Sequence, residues 1–125
     1  SDRLKTFTPE DVLPYGITAV EAYGHTPGHT AFRIGGTIIA GDIMHGTALQ
    51  IAHPEFCARF DMDKEKAVIS RKAIMKTAAE EGLKVYGMHF PAPFWIEARN
   101  SMNQNQLRIR HYVQNRYHRS RMDCS

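Results

Sequence analysis

Three short segments of the sequence combine histidine or aspartate with glycine in a way that suits metal binding. They are residues 24–30 (GHTPGHT), 40–42 (AGD) and 87–91 (GMHFP). Each follows or separates short runs of β-branched residues, and functional side chains gather at strand ends in α/β sheets. Two imidazoles and one carboxylate are ligands that a divalent ion such as zinc accepts. Spacing alone leaves open that these are ordinary turn or surface residues, because the sequence holds seven histidines.

The stretches between these motifs predict an α/β domain that would bring them together. Strands are expected where β-branched residues run between glycines, at residues 17–23, 31–34, 37–40 and 83–88. Gly35 and Gly36 predict a two-residue hairpin turn between the second and third of these strands. The third strand would then deliver Asp42 at its carboxyl end, whereas residues 43–60 are expected to be irregular.

One long helix is predicted over residues 64–81. Asp61 or Asp63 can cap its first turn, because an Asp oxygen accepts hydrogen bonds from unpaired amides there, and Gly82 can end it. Arg71 is expected on its solvent side. Its apolar positions, which recur at helical spacing, are expected at Val68, Ile69, Met75, Ala78 and Ala79.

The last part of the chain differs in composition from the rest. Residues 1–97 carry ten Lys and Arg against twelve Asp and Glu, whereas residues 98–125 carry six Arg, one Asp and no Lys. We therefore expect a domain over residues 1–97 and a basic Arg/Asn/Gln-rich tail over 98–125, either helical or disordered. Because the excess of basic charge is confined to the tail, a nucleic-acid partner is disfavoured.

Signals for membrane insertion or export are not visible in the sequence. It has no run of 18 apolar residues and no recognisable signal peptide. Cys57 and Cys124 are expected to be free thiols, because a bridge so close to the last residue would constrain little. These features favour a cytoplasmic location without a membrane partner.

Taken together, the motifs resemble those of the metallo-β-lactamase superfamily. The HTPGHT segment at residues 25–30 is followed by Gly41-Asp42 and then by Gly87-Met88-His89, in the order of that superfamily's later metal-binding motifs. The segments GDIMH, ALQ, FDMD and HFP, which begin at residues 41, 48, 60 and 89, are similar to the branch with methyl parathion hydrolase and acyl-homoserine lactonases. The resemblance covers residues 10–93. It implies the carboxyl-terminal half of the superfamily's αβ/βα sandwich.

The resemblance implies a ligand set for a divalent ion, with zinc favoured. His29 would bind one metal, Asp42 would bridge two metals, and His89 would bind the second. These three residues would be catalytic through the ion they hold.

Three further residues are expected beside the ligands rather than among them. His25 and Thr30 belong to the HTPGHT segment, and His25 would orient a ligand. His45, like His53, matches no ligand position of the superfamily. His45 could line a substrate pocket, although a surface or packing role is favoured for both.

The sequence departs from the superfamily in one respect. The HxHxDH motif, which supplies the remaining metal ligands, is absent from these 125 residues. The resemblance therefore implies at most one ion per chain and a sheet with one face left open. We expect a second copy to cover that face, giving a homodimer or a larger assembly.

These observations predict a metal-dependent hydrolase of lactones or esters. Acyl-homoserine lactones are among the substrates implied by the resemblance, and the nucleophile would be a water molecule activated by the metal. The alternative is a non-catalytic module that retains metal ligands and self-associates. Metal content and turnover would separate the two.

Overall fold

The computed structural model describes residues 3–100 and 107–110, which form a six-stranded sheet and two α-helices. The strands lie in the sheet in chain order: β1 (Thr18–Glu21), β2 (Thr30–Ile34), β3 (Thr37–Ile39), β4 (Lys84–Tyr86), β5 (Trp95–Asn100) and β6 (Leu107–Arg110). The helices are α1 (Thr47–Ala52) and α2 (Lys64–Glu81). Neighbouring strands are antiparallel except β3 and β4, which are parallel. The predicted α/β class is confirmed.

The hairpin of β2 and β3 follows the predicted turn. Ile34 pairs with Thr37, so only Gly35 and Gly36 lie between the strands. Gly35 has a φ of +55°, a backbone conformation that glycine adopts without a steric penalty. The hairpin therefore directs β3 toward Gly41 and Asp42, as the sequence predicted.

The parallel pairing of β3 and β4 brings two of the sequence motifs together. Parallel strands need a long crossover connection, and here α2 provides it. The pairing continues past the strands, because the Ala40 N–H donates to the Tyr86 carbonyl (2.7 Å) and the Met88 N–H donates to the Gly41 carbonyl (3.0 Å). Asp42 and His89 consequently leave the same edge of the sheet.

The predicted long helix is confirmed from its first residue to its last. The Asp63 side chain accepts a hydrogen bond from the Lys66 N–H (3.0 Å), and Gly82 ends α2 in the left-handed conformation at a φ of +65°. The predicted burial was partly wrong, since Ile69 is 67% exposed and Arg71 is 1% exposed. The Arg71 guanidinium is buried because it donates to backbone carbonyl oxygens of the preceding loop, as described below.

The core lies between α2 and one face of the sheet. Buried sheet residues on this face include Ala31, Ile38, Val85 and Ile96, which cluster with the helix residues Ile74, Met75 and Ala78. The opposite face carries apolar side chains that are partly or largely exposed, namely Phe32, Ile34, Ile39, Tyr86 and Trp95.

Some expectations differ from the structure or fall outside it. The segment 43–60 is not wholly irregular, because it contains α1. The boundary expected at residue 97 falls inside β5, and the backbone of Leu107–Arg110 forms a strand paired with β5. Cys124 and the remaining tail, 101–106 and 111–125, lie outside the described residues, so the two-part division stays a prediction.

Within the described ranges, neither helix could cross a membrane, given its length and polarity.

Candidate metal centre

Asp42 and His89 form the most direct contact among the predicted site residues. Nε2 of His89 lies 2.8 Å from Oδ1 of Asp42. The His89 side chain is 49% exposed and that of Asp42 is 33% exposed, so an ion or a substrate could reach them from solvent. Both residues follow parallel strands at their carboxyl ends, which is where α/β sheets place their ligand sites.

His29 contacts the backbone of Asp42 rather than its carboxylate. Its Nδ1 atom is 2.9 Å from the Ala22 carbonyl oxygen, so Nδ1 carries the proton and donates it. Its Nε2 atom accepts a hydrogen bond from the Asp42 N–H at 2.9 Å. Both ring nitrogens are therefore engaged, and Nε2 would have to release the Asp42 amide to bind an ion. The role of His29 as a ligand stays a prediction.

A hydrogen bond to the buried Asp61 carboxylate holds His25. Nδ1 of His25 donates to Oδ1 of Asp61 at 2.9 Å, and the Asp61 side chain is 1% exposed. The other Asp61 oxygen accepts from the Ala58 N–H (3.0 Å) and lies 3.8 Å from Nη2 of Arg71. The remaining His25 nitrogen, Nε2, is 3.7 Å from Oδ2 of Asp42. His25 is thus fixed at one nitrogen and directed at Asp42 with the other.

Arg71 hydrogen-bonds the segment between β3 and α2, which contains His45 and Asp61. Its Nε atom donates to the Ile43 carbonyl (2.9 Å), and Nη1 donates to the carbonyls of Phe56 (2.9 Å) and Pro54. Sequence periodicity placed Arg71 on the solvent side, because a charge at a helix surface is normally solvated. The carbonyl partners that offset its burial are visible only in the folded chain.

His45 lies in the middle of the site. Its ring lies between those of His25 (4.9 Å between centroids, tilted by 44°) and His89 (4.7 Å, tilted by 36°), and Phe60 meets it edge-on at 4.7 Å. Both ring nitrogens are buried, and neither has a hydrogen-bond partner among the residues that the structure describes. Burial lowers the pKa of His45, while the Asp61 carboxylate acts in the opposite direction. Burial thus favours the neutral form of the ring, which is the form in which imidazole binds metal.

Two groups of side chains have ligand atoms close enough to share an ion. One is His25, His45 and Asp61, and the other is Asp42, His45 and His89; within each group the ligand atoms lie within 4.8 Å of one another. Nitrogen and carboxylate donors of this kind suit zinc. Because His45 also contributes buried nitrogens that have no hydrogen-bond partner in residues 3–100 and 107–110, the residues present fit a divalent ion.

His53 and the threonine of the motif have local partners. The Thr30 hydroxyl donates to the Gly28 carbonyl within its own loop (2.9 Å). His53 is 55% exposed at its side chain and faces Glu55 at 3.4 Å. From the sequence, Asp61 was predicted only as a possible helix cap and His45 only as a possible pocket-lining residue. Their contacts with His25 were not predicted. The FDMD segment and the His three positions after Asp42 were the available signals.

Comparisons with known proteins bear on the fold. No protein-family model and no curated protein matches the chain. Solved structures do match it. A hydrolase of the β-lactamase superfamily, AbOPH, is 28% identical with a TM-score of 0.75, over 86% of this chain and 38% of its own. The dizinc quorum-quenching lactonase AidC, solved with a product, N-hexanoyl-L-homoserine, is 22% identical with a TM-score of 0.73, over 90% of this chain and 40% of its own.

The described residues therefore have part of the fold of metallo-β-lactamase superfamily hydrolases. The resemblance predicted from the HTPGHT, GD and GMH motifs is confirmed by these neighbours. The chain spans about two fifths of the length of either neighbour. Its sheet and crossover helix place the three motifs at one edge, which the order of the motifs in the sequence predicted.

Proposed function

We propose that this chain is a metal-dependent hydrolase of lactones or esters, or the part of one that carries the Asp42 and His89 site. The observation that supports the proposal is the 2.8 Å approach of His89 Nε2 to Asp42 Oδ1, within a superfamily fold. Beside this pair, the His45 nitrogens have no hydrogen-bond partner in the part of the chain that the structure describes. A divalent ion at such a site would polarise a carbonyl oxygen and lower the pKa of a water molecule.

The residues of the chain would hold the ion and contact the substrate. Asp42 and His89 would hold the ion, and His25, fixed by Asp61, would keep the Asp42 carboxylate in place from 3.7 Å. Phe60 contacts the rings of His25 and His45 and is still 62% exposed. An exposed aromatic side chain next to the ligands suits the acyl portion of a lactone or ester.

Side-chain nucleophiles offer a weaker account of hydrolysis. The Ser70 hydroxyl donates to the Tyr23 carbonyl (2.7 Å), which occupies its proton. The Cys57 thiol contacts the Lys64 carbonyl at 3.4 Å and the Glu55 carbonyl at 3.8 Å. Neither contact provides the general base that an activated nucleophile requires. A water molecule activated at the metal site is therefore the favoured nucleophile.

The test is hydrolysis of a p-nitrophenyl ester and an acyl-homoserine lactone before and after chelation. We expect turnover to vanish with a chelator, to return with zinc, and to survive Cys57→Ser. Turnover that persists in the metal-free protein would contradict the mechanism. Stoichiometric metal without turnover would favour the alternative, a non-catalytic metal-binding module. We expect modest rates, because the 125 residues lack the HxHxDH motif that would supply the remaining ligands of a two-metal site.

A further inference from the structure

Asp61 is a buried carboxylate that neither helix capping nor the expected ligand set accounts for. Its side chain is 1% exposed, and α2 is capped by Asp63 rather than by Asp61. One Asp61 oxygen accepts from Nδ1 of His25 (2.9 Å), and the other accepts from the Ala58 N–H (3.0 Å). Burial of a carboxylate is unfavourable unless such partners compensate it. One of these partners, His25, belongs to the HTPGHT segment, 36 residues earlier in the chain.

The ring of His25 contacts two of the three expected metal ligands. Its Nε2 atom lies 3.7 Å from Oδ2 of Asp42, while Oδ1 of Asp42 faces Nε2 of His89 at 2.8 Å. The His25 ring also meets the ring of His29 edge-on, with 5.7 Å between centroids. Because Nδ1 of His25 donates to Asp61, the ring cannot turn over without losing that hydrogen bond. Asp61 therefore determines which edge of the His25 ring faces Asp42.

Arg71 connects Asp61 to the backbone beside Asp42. Its Nε atom donates to the carbonyl of Ile43 (2.9 Å), the residue that follows Asp42. Its Nη2 atom lies at an ion-pair distance of 3.8 Å from Oδ2 of Asp61, and both side chains are 1% exposed. A closed path of contacts thus begins at the Asp42 backbone and returns to the Asp42 carboxylate, in the order Ile43, Arg71, Asp61 and His25.

We infer that Asp61 and Arg71 are positioning residues of the metal centre. Both act on Asp42 without binding the ion, Arg71 from the backbone side and Asp61 from the carboxylate side. Groups that orient metal ligands in this way raise metal affinity because the ligands are already in place when the ion arrives. The ligand set expected from the motifs is unchanged. The inference rests on the proposed function, since it assigns residues that prepare the same site.

Zinc titration of two matched carboxylate variants tests the role of Asp61. Asp61→Asn and Asp63→Asn each replace one carboxylate before α2 by an amide of similar size. The Asp63 side chain is 47% exposed and asparagine caps a helix about as well as aspartate, so Asp63→Asn is the control. By isothermal titration calorimetry, Asp61→Asn should lower zinc affinity about 10- to 100-fold, and Asp63→Asn should leave it unchanged. The same zinc affinity in both variants would overturn the inference.

A double-variant cycle separates positioning from a general loss of structure. In a His25→Ala background, Asp61→Asn should lower zinc affinity by no more than about twofold, because its effect passes through the His25 ring. A purely structural role of Asp61 would give the same loss in both backgrounds, and that result would refute the inference.

Arg71→Lys tests the second positioning residue. Lysine keeps a positive charge near Asp61 but lacks the planar group that donates to Ile43 as well. Zinc affinity should fall about tenfold or more in Arg71→Lys, whereas Lys72→Arg, at an exposed position of α2, should bind zinc as the wild type does. Wild-type zinc affinity in Arg71→Lys would remove Arg71 from the assignment.

A further measurement uses only the wild-type chain. Coupling between two sites is reciprocal, so a hydrogen bond that favours zinc binding must itself be stabilised by zinc. In the chain labelled with ¹⁵N-histidine, zinc should slow solvent exchange of the His25 Nδ1 proton, and neither His25 nitrogen should move to the metal-bound position. Unchanged exchange, or a metal-bound shift at His25, would contradict the positioning role.

The outcomes separate the inference from the proposed function. Reduced zinc affinity in Asp61→Asn, in a chain whose wild-type form has no esterase or lactonase turnover, would refute the function and support the inference. Zinc-dependent turnover with full zinc affinity in Asp61→Asn would refute the inference and support the function. A wild-type chain that binds no zinc would overturn both.

Discussion

The imidazole of His29 accepts a hydrogen bond from the backbone N–H of Asp42 at 2.9 Å. The other nitrogen of the same ring donates to the Ala22 carbonyl. One side chain thereby connects the segment after β1, the HTPGHT loop and the segment after β3. This contact is possible only because residue 41 is glycine, since a Cβ there would lie 2.8 Å from Nε2 of His29.

Gly41→Ala should therefore disturb the metal site as well as the backbone. Gly35→Ala is the matched control, because Gly35 (φ +55°) and Gly41 (φ +57°) share a conformation, but a Cβ at Gly35 meets nothing within 4 Å. Both variants should lose about 1–2 kcal/mol of unfolding free energy from left-handed backbone strain. Only Gly41→Ala should also lose zinc affinity, measured by calorimetry. Equal affinities in the two variants would show that the contact between His29 and the Asp42 N–H does not affect metal binding.

Arg71→Met should destabilise the chain strongly. The substitution keeps an aliphatic side chain but leaves the buried Asp61 without its guanidinium partner and removes donors from the Ile43 and Phe56 carbonyls. Loss of one partner of a buried ion pair costs about 3–5 kcal/mol. Urea unfolding should show that loss, whereas Lys72→Met, at an exposed position on the same helix, should change stability little. Similar midpoints for the two variants would be incompatible with this account.

The ion pair of Arg33 and Glu81 predicts a pH-dependent contribution to stability. Two hydrogen bonds of 2.9 Å from the Arg33 guanidinium lower the pKa of Glu81 below its ordinary value of 4.5. A carboxyl group whose pKa is lowered by folding contributes stability above its unfolded pKa, and that contribution is lost as the pH falls through its folded pKa.

Thermal unfolding of Glu81→Gln should test this. The variant should unfold at a slightly lower temperature than the wild type near pH 6, and the difference should shrink below pH 4. The effect is small because the pair is solvent-exposed and screened by salt. Glu80→Gln removes one charge from the same turn of α2 and serves as the control. A difference that stays constant between pH 6 and pH 3 would rule out the linkage.

The exposed sheet face predicts self-association. Ile34 and Ile39 are 42% and 46% exposed on the face opposite α2. We expect a second copy of the chain to cover this face, in an interface of at least about 1,200 Å². Light scattering should give the mass of a dimer or larger assembly at micromolar concentration. Ile39→Lys should shift it toward monomer, whereas Ile69→Lys, 67% exposed on α2, should not. A wild-type monomer under these conditions would contradict the expectation.

Most of the fold could be predicted because its signals are local. The capping of α2 by Asp63 and its end at Gly82 depend on residues adjacent in sequence. The short helix α1 was missed because its N-cap residue, Gly46, has no side chain to cap the first turn. The burial of Arg71 was missed for a different reason. Its partners are carbonyl oxygens 15 and 28 residues earlier in the chain, and helical periodicity carries no information about them.

The site was predictable in part. The motifs pointed to Asp42 and His89, whose side chains meet, and to His29, which reaches Asp42 through a backbone hydrogen bond. Asp61 and His45 could not be assigned from spacing. The contact of Asp61 with His25 depends on how the segment before α2 packs. The position of the His45 ring between His25 and His89 likewise depends on the folded chain.

The parallel pairing of β3 with β4 also has a consequence for the order of folding. The β1–β2–β3 meander contains contacts between near neighbours in sequence, whereas the β3–β4 pairing requires closure of the whole crossover through α2. Contacts of high sequence separation form at a greater entropic cost. A chain that has formed the meander alone holds Asp42 without His89 beside it. The chain would then bind an ion only after β4 has paired with β3. During refolding, Co²⁺ absorption should therefore develop no earlier than burial of the β4 core residue Val85.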